Sequence, residues 1–430
     1  MAVTHRRAAP VAACSALLIS LAGCVTAPAP PKDVAVETDF KKPLLPSINA
    51  SVLTDTSVLD SRFAAALDPT VETLTRLESR YTLALSEERA ERVRVGDTVS
   101  RAGQWGSSVR YGGVQFGTRF DPNENVLYAE DLATSGLAVL PTAADALFAS
   151  LGQNSSIWSR QNLSVSGSPA INDRHAVSFT ARDSFGRSAA LSAPLIEQTR
   201  LIDEGCADFS LGFGKVRENY ALASNEYGPA FANTTVVCAA PLGFTIEGHG
   251  EYLAEQVSAL GIGLARRLGP IGTASLAFAS SDTQLGSGWL ARIGFEHQGS
   301  LLNFAVRSRV QSREFREVGS LLIEDPIMRR NLASVGLNVG DAASIAIAYA
   351  AQTTWQQERA DILSLNQKMS VGSGSITVTA GHSFAEDIGS SFFLSYKRPF
   401  GGGPRRARFD ASDLDLIEVA VGKKPLGEGG

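Results

Sequence analysis

The chain has little net charge and none of the short motifs that mark common enzyme classes. Its 430 residues include 39 lysines and arginines and 44 aspartates and glutamates, for a formal net charge of -5. Such a balance provides no overall positive field for binding nucleic acid. The sequence also lacks a G-x-S-x-G nucleophile turn, a Walker-type phosphate loop and an H-E-x-x-H zinc motif. We therefore expect no catalytic residues, no cofactor and no metal site.

The histidines beyond the amino-terminal segment also lack partners at metal-ligand spacing. These residues are His175, His249, His297 and His382. His249 alone shares a strand face with carboxylates, those of Glu247 and Glu251. We expect that face to be a solvated wall rather than a set of metal ligands.

Long stretches of helical periodicity are absent too, and strand-like alternation takes their place. Between Cys206 and Phe400, segments of about ten residues alternate apolar with small or polar side chains and end at short polar breaks. In one segment the apolar face consists of Trp289, Ala291, Ile293 and Phe295. About ten residues suit a tilted strand that crosses a bilayer, and a fully polar second face excludes a buried parallel sheet. We predict an all-β, transmembrane antiparallel β-barrel, with a soluble β-sandwich as the alternative.

The amino terminus has the features of a bacterial lipoprotein signal. A basic segment, His5 to Arg7, precedes the apolar segment Val11 to Leu21, and Leu21-Ala22-Gly23-Cys24 resembles a lipoprotein box. In this interpretation Cys24 carries the lipid and becomes the first residue of the mature chain. Val25 after this cysteine resembles the pattern of lipoproteins sorted to the outer membrane. The alternative is a plain signal peptide with a chance cysteine.

Two of the four cysteines form a candidate disulfide. Cys14 lies in the signal segment and Cys24 is the lipid attachment site, which leaves Cys206 and Cys238. The latter two fall in consecutive predicted strands, spaced symmetrically about a hairpin centre near Leu222. We expect a disulfide between them in an oxidising compartment, with two buried thiols as the alternative.

Composition divides the chain into six segments. They are a lipoprotein signal peptide (1–23), a Pro-rich tether with a short ambiguous segment (24–74), the first barrel strands (75–134), a small inserted β-sandwich (135–200), the main barrel strands (201–400) and a flexible tail (401–430). Within the ambiguous segment, Ser61 to Leu67 has weak helical character. About four strands before the insertion and about twelve after it give roughly sixteen, enough for an aqueous lumen that the insertion would plug.

Motifs in the first strands resemble those of outer-membrane ushers of the chaperone-usher pilus pathway. Val95 to Arg101 contains a glycine-aspartate turn, and Val109 to Thr118 contains an arginine-aromatic-glycine-glycine strand, both as in ushers. The residues that carry this resemblance are Gly96, Asp97, Arg110, Gly112, Gly113, Gln115, Gly117 and Thr118.

Further motifs follow in the order of the usher family. Leu140 to Asp145 resembles the start of the usher plug, and Ala181 to Arg187 resembles its closing strand. The closing-strand residues are Arg182, Asp183, Gly186 and Arg187. Glu204 to Ser210, with Val216 to Tyr220, resembles the hairpin that resumes the barrel.

The resemblance implies a plugged barrel in the bacterial outer membrane that takes part in export and assembly of pilus or fimbrial subunits. Its implied partners are membrane lipid, periplasmic chaperone-pilin complexes and other usher chains. About fifty residues before the first strands and about thirty after the last are too few for the periplasmic domains of a complete usher, so we expect a shortened form. The alternatives are a structural or adhesive surface lipoprotein derived from an usher, and a soluble periplasmic β-protein held only by acyl chains.

Overall fold

A computed structural model describes residues 48–53, 57–65, 74–86, 90–118, 132–140, 142–150, 160–340, 342–372, 374–384, 390–397 and 417–420. The predicted signal peptide and the lipid attachment at Cys24 lie outside these residues. Among the described residues, no helix has the length and hydrophobicity of a membrane span.

The described elements are strands, one α-helix and three short 3-10 turns. The strands before the insertion are β1 (Ile48–Leu53), β2 (Ser57–Ala65), β3 (Leu74–Ser86), β4 (Glu91–Val99) and β5 (Arg110–Gly117). The insertion contains α1 (Ala143–Ala149), β6 (Ser164–Ile171), β7 (Ala176–Arg182) and β8 (Ser188–Pro194). The later strands are β9 (Asp208–Arg217), β10 (Tyr227–Ala240), β11 (Phe244–Leu253), β12 (Val257–Arg267), β13 (Thr273–Thr283), β14 (Gly286–Gln298), β15 (Leu302–Gln311), β16 (Ile327–Val339), β17 (Ala343–Thr354), β18 (Arg359–Val371), β19 (Gly374–Ser383), β20 (Ser390–Lys397) and β21 (Ile417–Ala420). The 3-10 turns are Pro241–Gly243, Gly269–Ile271 and Val318–Leu322.

Eighteen of the described strands form one antiparallel sheet. Each strand from β1 to β5 pairs with the next, β5 pairs directly with β9, and the remaining strands again pair in sequence order to β21. Strands β6, β7 and β8 form a separate sheet. Within the described residues, no pairing joins β1 to β21. The insertion therefore leaves and rejoins the large sheet between two neighbouring strands.

Burial in the large sheet is the reverse of that in a soluble β-sandwich. On β12, Leu260 and Ile262 are 58% and 54% exposed, whereas on β11 Glu247 and His249 are 4% and 1% exposed. The apolar face is thus outside and the polar face inside, as lipid outside and water or protein inside require. Strand β6 of the insertion packs on the inner side against β17, β18, β19 and β20. The predicted all-β transmembrane barrel is confirmed.

The structure adds three details to the expectation. The large sheet has eighteen described strands, where roughly sixteen were expected. The segment Ser61 to Leu67, with its weak helical character, lies largely in β2, because antiparallel pairing with β3 outweighs a weak local preference. Of the tail, the structure describes only β21, which pairs with β20.

The described part of the insertion contains one three-stranded sheet with α1 against it, and no second sheet of the expected sandwich. The helix begins with a capping box, in which Thr142 Oγ1 accepts from the Asp145 N–H and Asp145 Oδ2 accepts from the Thr142 N–H. Phe148 and Phe179 join a core that continues into small residues of the barrel wall. These wall residues include Ala305, Ala346, Ala348, Ala350 and Ala360. Small wall side chains let the insertion approach the barrel closely.

Candidate functional site: the lumen and its plug

The candidate site is the inner surface of the barrel, where the insertion meets two loops that fold inward. We call the described residues of 132–196 the plug. The first lumen loop, residues 101–108, joins β4 to β5, and the second lumen loop, residues 312–326, joins β15 to β16.

The glycine-aspartate motif lies within β4, shortly before the first lumen loop. Gly96 has a φ of 111°, and a Cβ atom on it would lie 2.1 Å from the carbonyl oxygen of Ser79. Asp97 Oδ2 then accepts from the Ser79 N–H at 2.9 Å and from Arg76 at 3.2 Å, while Oδ1 accepts from the Tyr227 hydroxyl at 2.5 Å. The carboxylate thus replaces ladder hydrogen bonds where the pairing of β3 with β4 ends. Gly96 and Asp97 therefore lie inside β4, paired with Gly113 and Gly112 of β5, and not in a turn.

Gln115 ties three wall strands together from a fully buried position. Its Oε1 accepts from the Thr98 hydroxyl at 2.6 Å, and its Nε2 donates to the Val99 carbonyl at 3.0 Å and to Ser210 Oγ at 3.1 Å. These bonds connect β4, β5 and β9. The insertion lies between β5 and β9 in the sequence, so Gln115 helps to join the two strands that flank it. All its hydrogen-bonding atoms are therefore engaged within the wall.

The other residues of the first usher-like motif lie along β5 or directly after it. Gly112, Gly113 and Gly117 pair with Lys215, Gly214 and Ser210 of β9. Thr118 Oγ1 accepts from the Phe209 N–H at 3.1 Å, and Arg110 lies over the Tyr220 ring at 4.2 Å. The motif therefore builds the junction of β5 with β9, and it forms no single binding site.

The first lumen loop covers the polar face of β11. The Gln104 N–H donates to Glu247 Oε1 at 2.5 Å, and the Ser107 N–H donates to Glu251 Oε1 at 2.8 Å. His249 lies between the two carboxylates and is buried beneath the loop. The expectation of a solvated wall at His249 is therefore wrong, because the loop replaces water.

Glu251 also binds the second lumen loop. Its Oε2 accepts from the Val318 N–H at 3.0 Å, so one carboxylate holds both loops. Trp105 of the first loop makes edge contacts with the rings of Phe315, at 6.4 Å, and His249, at 4.6 Å. Within the described residues, no group of three or more histidine, cysteine, aspartate or glutamate side chains is arranged to hold a metal ion.

The helical end of the plug is fixed to the wall by an ion pair. Asp145 Oδ1 lies 2.8 Å from a guanidinium nitrogen of Arg330 on β16. The same guanidinium group lies over the Phe148 ring at 5.4 Å and donates to Gln352 Oε1 on β17. Asp145 therefore serves both as part of the helix cap and as a wall contact.

The turn between β6 and β7 fixes the plug at a second place. The carbonyl oxygen of Asp173 accepts from Asn303 Nδ2 at 2.9 Å, and His175 Nδ1 lies 2.8 Å from Ser334 Oγ. Burial lowers the pKa of His175, while the charge of Asp173 acts in the opposite direction. A Cβ atom on Gly336 would lie 2.2 Å from the Asp173 carbonyl oxygen, so the turn fits the wall only where this side chain is absent.

The second usher-like motif shapes the turn between β7 and β8. Asp183 Oδ1 accepts from the Arg187 N–H at 3.0 Å, and Oδ2 accepts from Arg187 Nε at 2.7 Å. Oδ2 also accepts from the Ala133 N–H at 3.1 Å, which joins this turn to the start of the plug. Gly186 has a φ of 80°, and Arg182 is exposed. Asp183 is therefore the residue that organises this end of the plug.

A disulfide between Cys206 and Cys238 lies where the chain leaves the plug and enters β9. The Ala239 N–H donates to the Gly205 carbonyl at 2.7 Å beside it. The bond joins the start of β9 to the end of β10, and so fixes the second connection between plug and barrel to the wall.

Three features were not expected from the sequence: the inward-folding loops, helix α1 and a row of arginines on β14, β15 and β16. A signal for α1 was present in the Thr142 and Asp145 capping pair ahead of an apolar run. The arginine row has no comparable signal, because it arises from the register of three strands.

Comparison with known proteins gives similarity in structure only. No protein-family model matches the sequence, and no curated protein matches it. The structure of the P pilus usher (PapC) translocation pore has a TM-score of 0.51 and 14% identity over 83% of this chain and 76% of that one. PapC in the Escherichia coli P pilus tip assembly intermediate PapC-PapD-PapK-PapG has a TM-score of 0.53 and 15% identity, over 88% of this chain and 48% of that one. The fold is that of an usher-type outer-membrane β-barrel.

Proposed function

We propose that this chain is an usher-like outer-membrane lipoprotein that takes part in export and assembly of pilus or fimbrial subunits. The observation that carries the proposal is a folded plug inserted between β5 and β9 and held inside the barrel. In this role the barrel is the conduit, the plug blocks it at rest, and the chain catalyses no reaction.

The contacts of the plug suit a reversible block. Besides the apolar core that it shares with the wall, the plug is attached by individual polar contacts, such as Asp145 with Arg330 and His175 with Ser334. Water can replace such contacts when the plug moves, so each contributes modestly to the free energy of docking. A partner opens the barrel only to the extent that it binds the open state more tightly than the closed one.

The partners we propose are chaperone-pilin complexes and other usher chains. Support comes from the similar fold of PapC, whose structure with PapD, PapK and PapG includes such subunits. The exposed apolar face of the barrel supports insertion in the bacterial outer membrane, with lipid at Cys24 as an additional anchor.

Deleting residues 135–195 tests the block directly. The purified variant should conduct ions in planar bilayers, whereas the full chain should conduct little. Slower gel migration after heating serves as the control that the variant barrel is folded. A folded variant that conducts no more than the full chain would contradict the proposal.

Loss of the chain tests the role in export. A strain that lacks the chain should assemble fewer pili, and expression of the full chain should restore them. Normal pili in that strain would favour a structural or adhesive surface lipoprotein instead.

A further inference from the structure

The inside of the barrel is filled by two separate apolar clusters. One cluster joins the plug to inward-facing residues of β15, β16, β17 and β18. The other joins the two lumen loops to inward-facing residues of β10, β11, β12, β13 and β14. The plug and the lumen loops therefore cover different arcs of the inner wall.

The lumen loops are packed tightly into the arc beneath them. Trp105, Phe315 and Val318 of the loops are at most 4% exposed, and they share a core with Leu253 of the wall. An ideal Cβ atom on Gly261 of β12 would lie 2.6 Å from Trp105 Nε1. The first lumen loop thus occupies space that the wall leaves free only because this residue is glycine.

An ion pair holds the first lumen loop at its start. Arg101 donates from Nη1 to Asp208 Oδ1 at 2.6 Å and from Nη2 to Asp208 Oδ2 at 3.1 Å, and both side chains are buried. The Arg101 carbonyl accepts from Asn233 Nδ2 at 3.1 Å. Because the loop is short and joins two strands that pair with each other, it cannot withdraw far from the wall.

The first residues of the plug belong to the arc of the lumen loops. Leu137 and Val139 lie in the apolar cluster of those loops. The Ala138 N–H donates to the Arg217 carbonyl at 2.9 Å, and the Ala138 carbonyl accepts from the Arg110 N–H at 2.8 Å. These backbone bonds tie the segment to the wall. We therefore call only residues 142–150 and 160–196 the plug body.

The plug body rests on short side chains. Ala346, Ala348 and Ala350 of β17 face inward and are at most 2% exposed in the cluster that contains the plug. In the register of β16, β17 and β18, Ala348 lies between Ser334 and Ser364. Alanine has no side-chain rotamer to rearrange, so this part of the wall keeps its shape when the plug body separates from it.

We propose that the barrel opens along one arc only, the inner faces of β16, β17 and β18, while the lumen loops keep the arc from β10 to β14 covered. This inference rests on the proposed function, in which the plug blocks a conduit at rest. It places the path of a transported chain beside Ala348 and Ser364, and away from Glu247 and His249. The open lumen is therefore narrower than the cylinder formed by the large sheet.

Reaction of introduced thiols in the full chain tests this path. Ala350→Cys places a thiol beneath the plug body, and Ala279→Cys on β13 places one beneath the lumen loops. The two positions are a matched pair, because both alanines are 0% exposed. Each is combined with Gly336→Ala, which adds a Cβ atom where the plug backbone lies. Cys206 and Cys238 form a disulfide and supply no thiol.

A charged methanethiosulfonate reagent should distinguish the two positions. Gly336→Ala should accelerate modification of Ala350→Cys by roughly 5–150-fold, because a buried thiol reacts only while the plug is open. The modified channel should then carry less current in planar bilayers. Ala279→Cys should react no faster with Gly336→Ala than without it.

Equal acceleration at both positions would overturn the inference and leave the export role untouched. Acceleration at Ala279→Cys alone, or at neither position in a channel that conducts, would do the same. If neither Gly336→Ala nor the deletion of residues 135–195 conducts, the proposed function fails and this inference fails with it. Heat-dependent gel migration of each variant shows that its barrel is folded.

Discussion

Replacing Gly336 with alanine should loosen the plug, because the plug backbone occupies the space that a Cβ atom needs. An ideal Cβ at this position lies 2.2 Å from the carbonyl oxygen and 2.7 Å from the Cα of Asp173. Non-bonded heavy atoms pack at about 3.5–4.0 Å, so the two backbones must separate by roughly 1 Å or more.

We expect the plug backbone to move away from the added Cβ atom while the barrel wall keeps its position. Gly336 lies in β16, which is hydrogen-bonded on both sides by β15 and β17. The turn of the plug is held there by the bonds to Asn303 and Ser334. Overpacking of this kind costs about 1–3 kcal/mol. If this cost lowers the free energy of plug docking, the fraction of barrels with an open lumen rises by roughly 5–150-fold.

Single-channel recording in planar bilayers measures the open fraction. Gly248→Ala is the matched control, because Gly248 lies on the exposed face of β11 with nothing within 4 Å of its ideal Cβ. It should behave as the unaltered chain does. Unchanged opening in Gly336→Ala, or a lowered unfolding temperature without opening, would refute the reasoning, since the wall would then have absorbed the strain.

Three other perturbations have defined outcomes. Glu251→Gln should release one of the two lumen loops, because the amide keeps a single acceptor oxygen, and should raise conductance at a cost of about 1–3 kcal/mol; unchanged conductance would contradict this. Acidification below the ordinary pKa of histidine should raise the fraction of open barrels. Burial lowers the pKa of the docked His175, so a released His175 binds a proton more readily and stabilises the open state. Above the ordinary pKa, His175 is neutral in both the open and the closed state. His175→Gln should remove this dependence on pH, and a retained dependence would exclude His175 as its source. Replacing Cys206 and Cys238 with serine removes a cross-link across 32 residues and should lower barrel stability by up to about 3–4 kcal/mol, measured as the temperature of the gel-mobility change. An unchanged temperature would show that strand pairing alone holds this junction.

The outer surface of the barrel was predictable from the sequence, and its inner contacts were not. Alternation such as that of Leu260 and Ile262 with smaller neighbours depends only on the side-chain period of a strand. The burial of His249 depends on a loop more than a hundred residues earlier in the chain. No local pattern reports such a contact.

Register and context explain the other differences. Arg292, Arg309 and Arg330 become neighbours only when the strands align, and a shift of one residue would separate them. Strand β2 is stabilised by its pairing with β3, so its own sequence has only a weak preference for a strand. The sequence predicted the strands of the insertion. It did not predict the helix that packs on their sheet, and the capping residues of this helix, Thr142 and Asp145, were its local signal.

The direct pairing of β5 with β9 has a consequence for the evolution of this protein. Gly113 and Gly214 face each other across that ladder although about a hundred residues separate them in sequence. The hydrogen bonds of this seam are the same whatever chain loops out between the two strands. The seam is therefore a natural acceptor site, at which one folded module can be exchanged for another while the surrounding cylinder keeps its strand order.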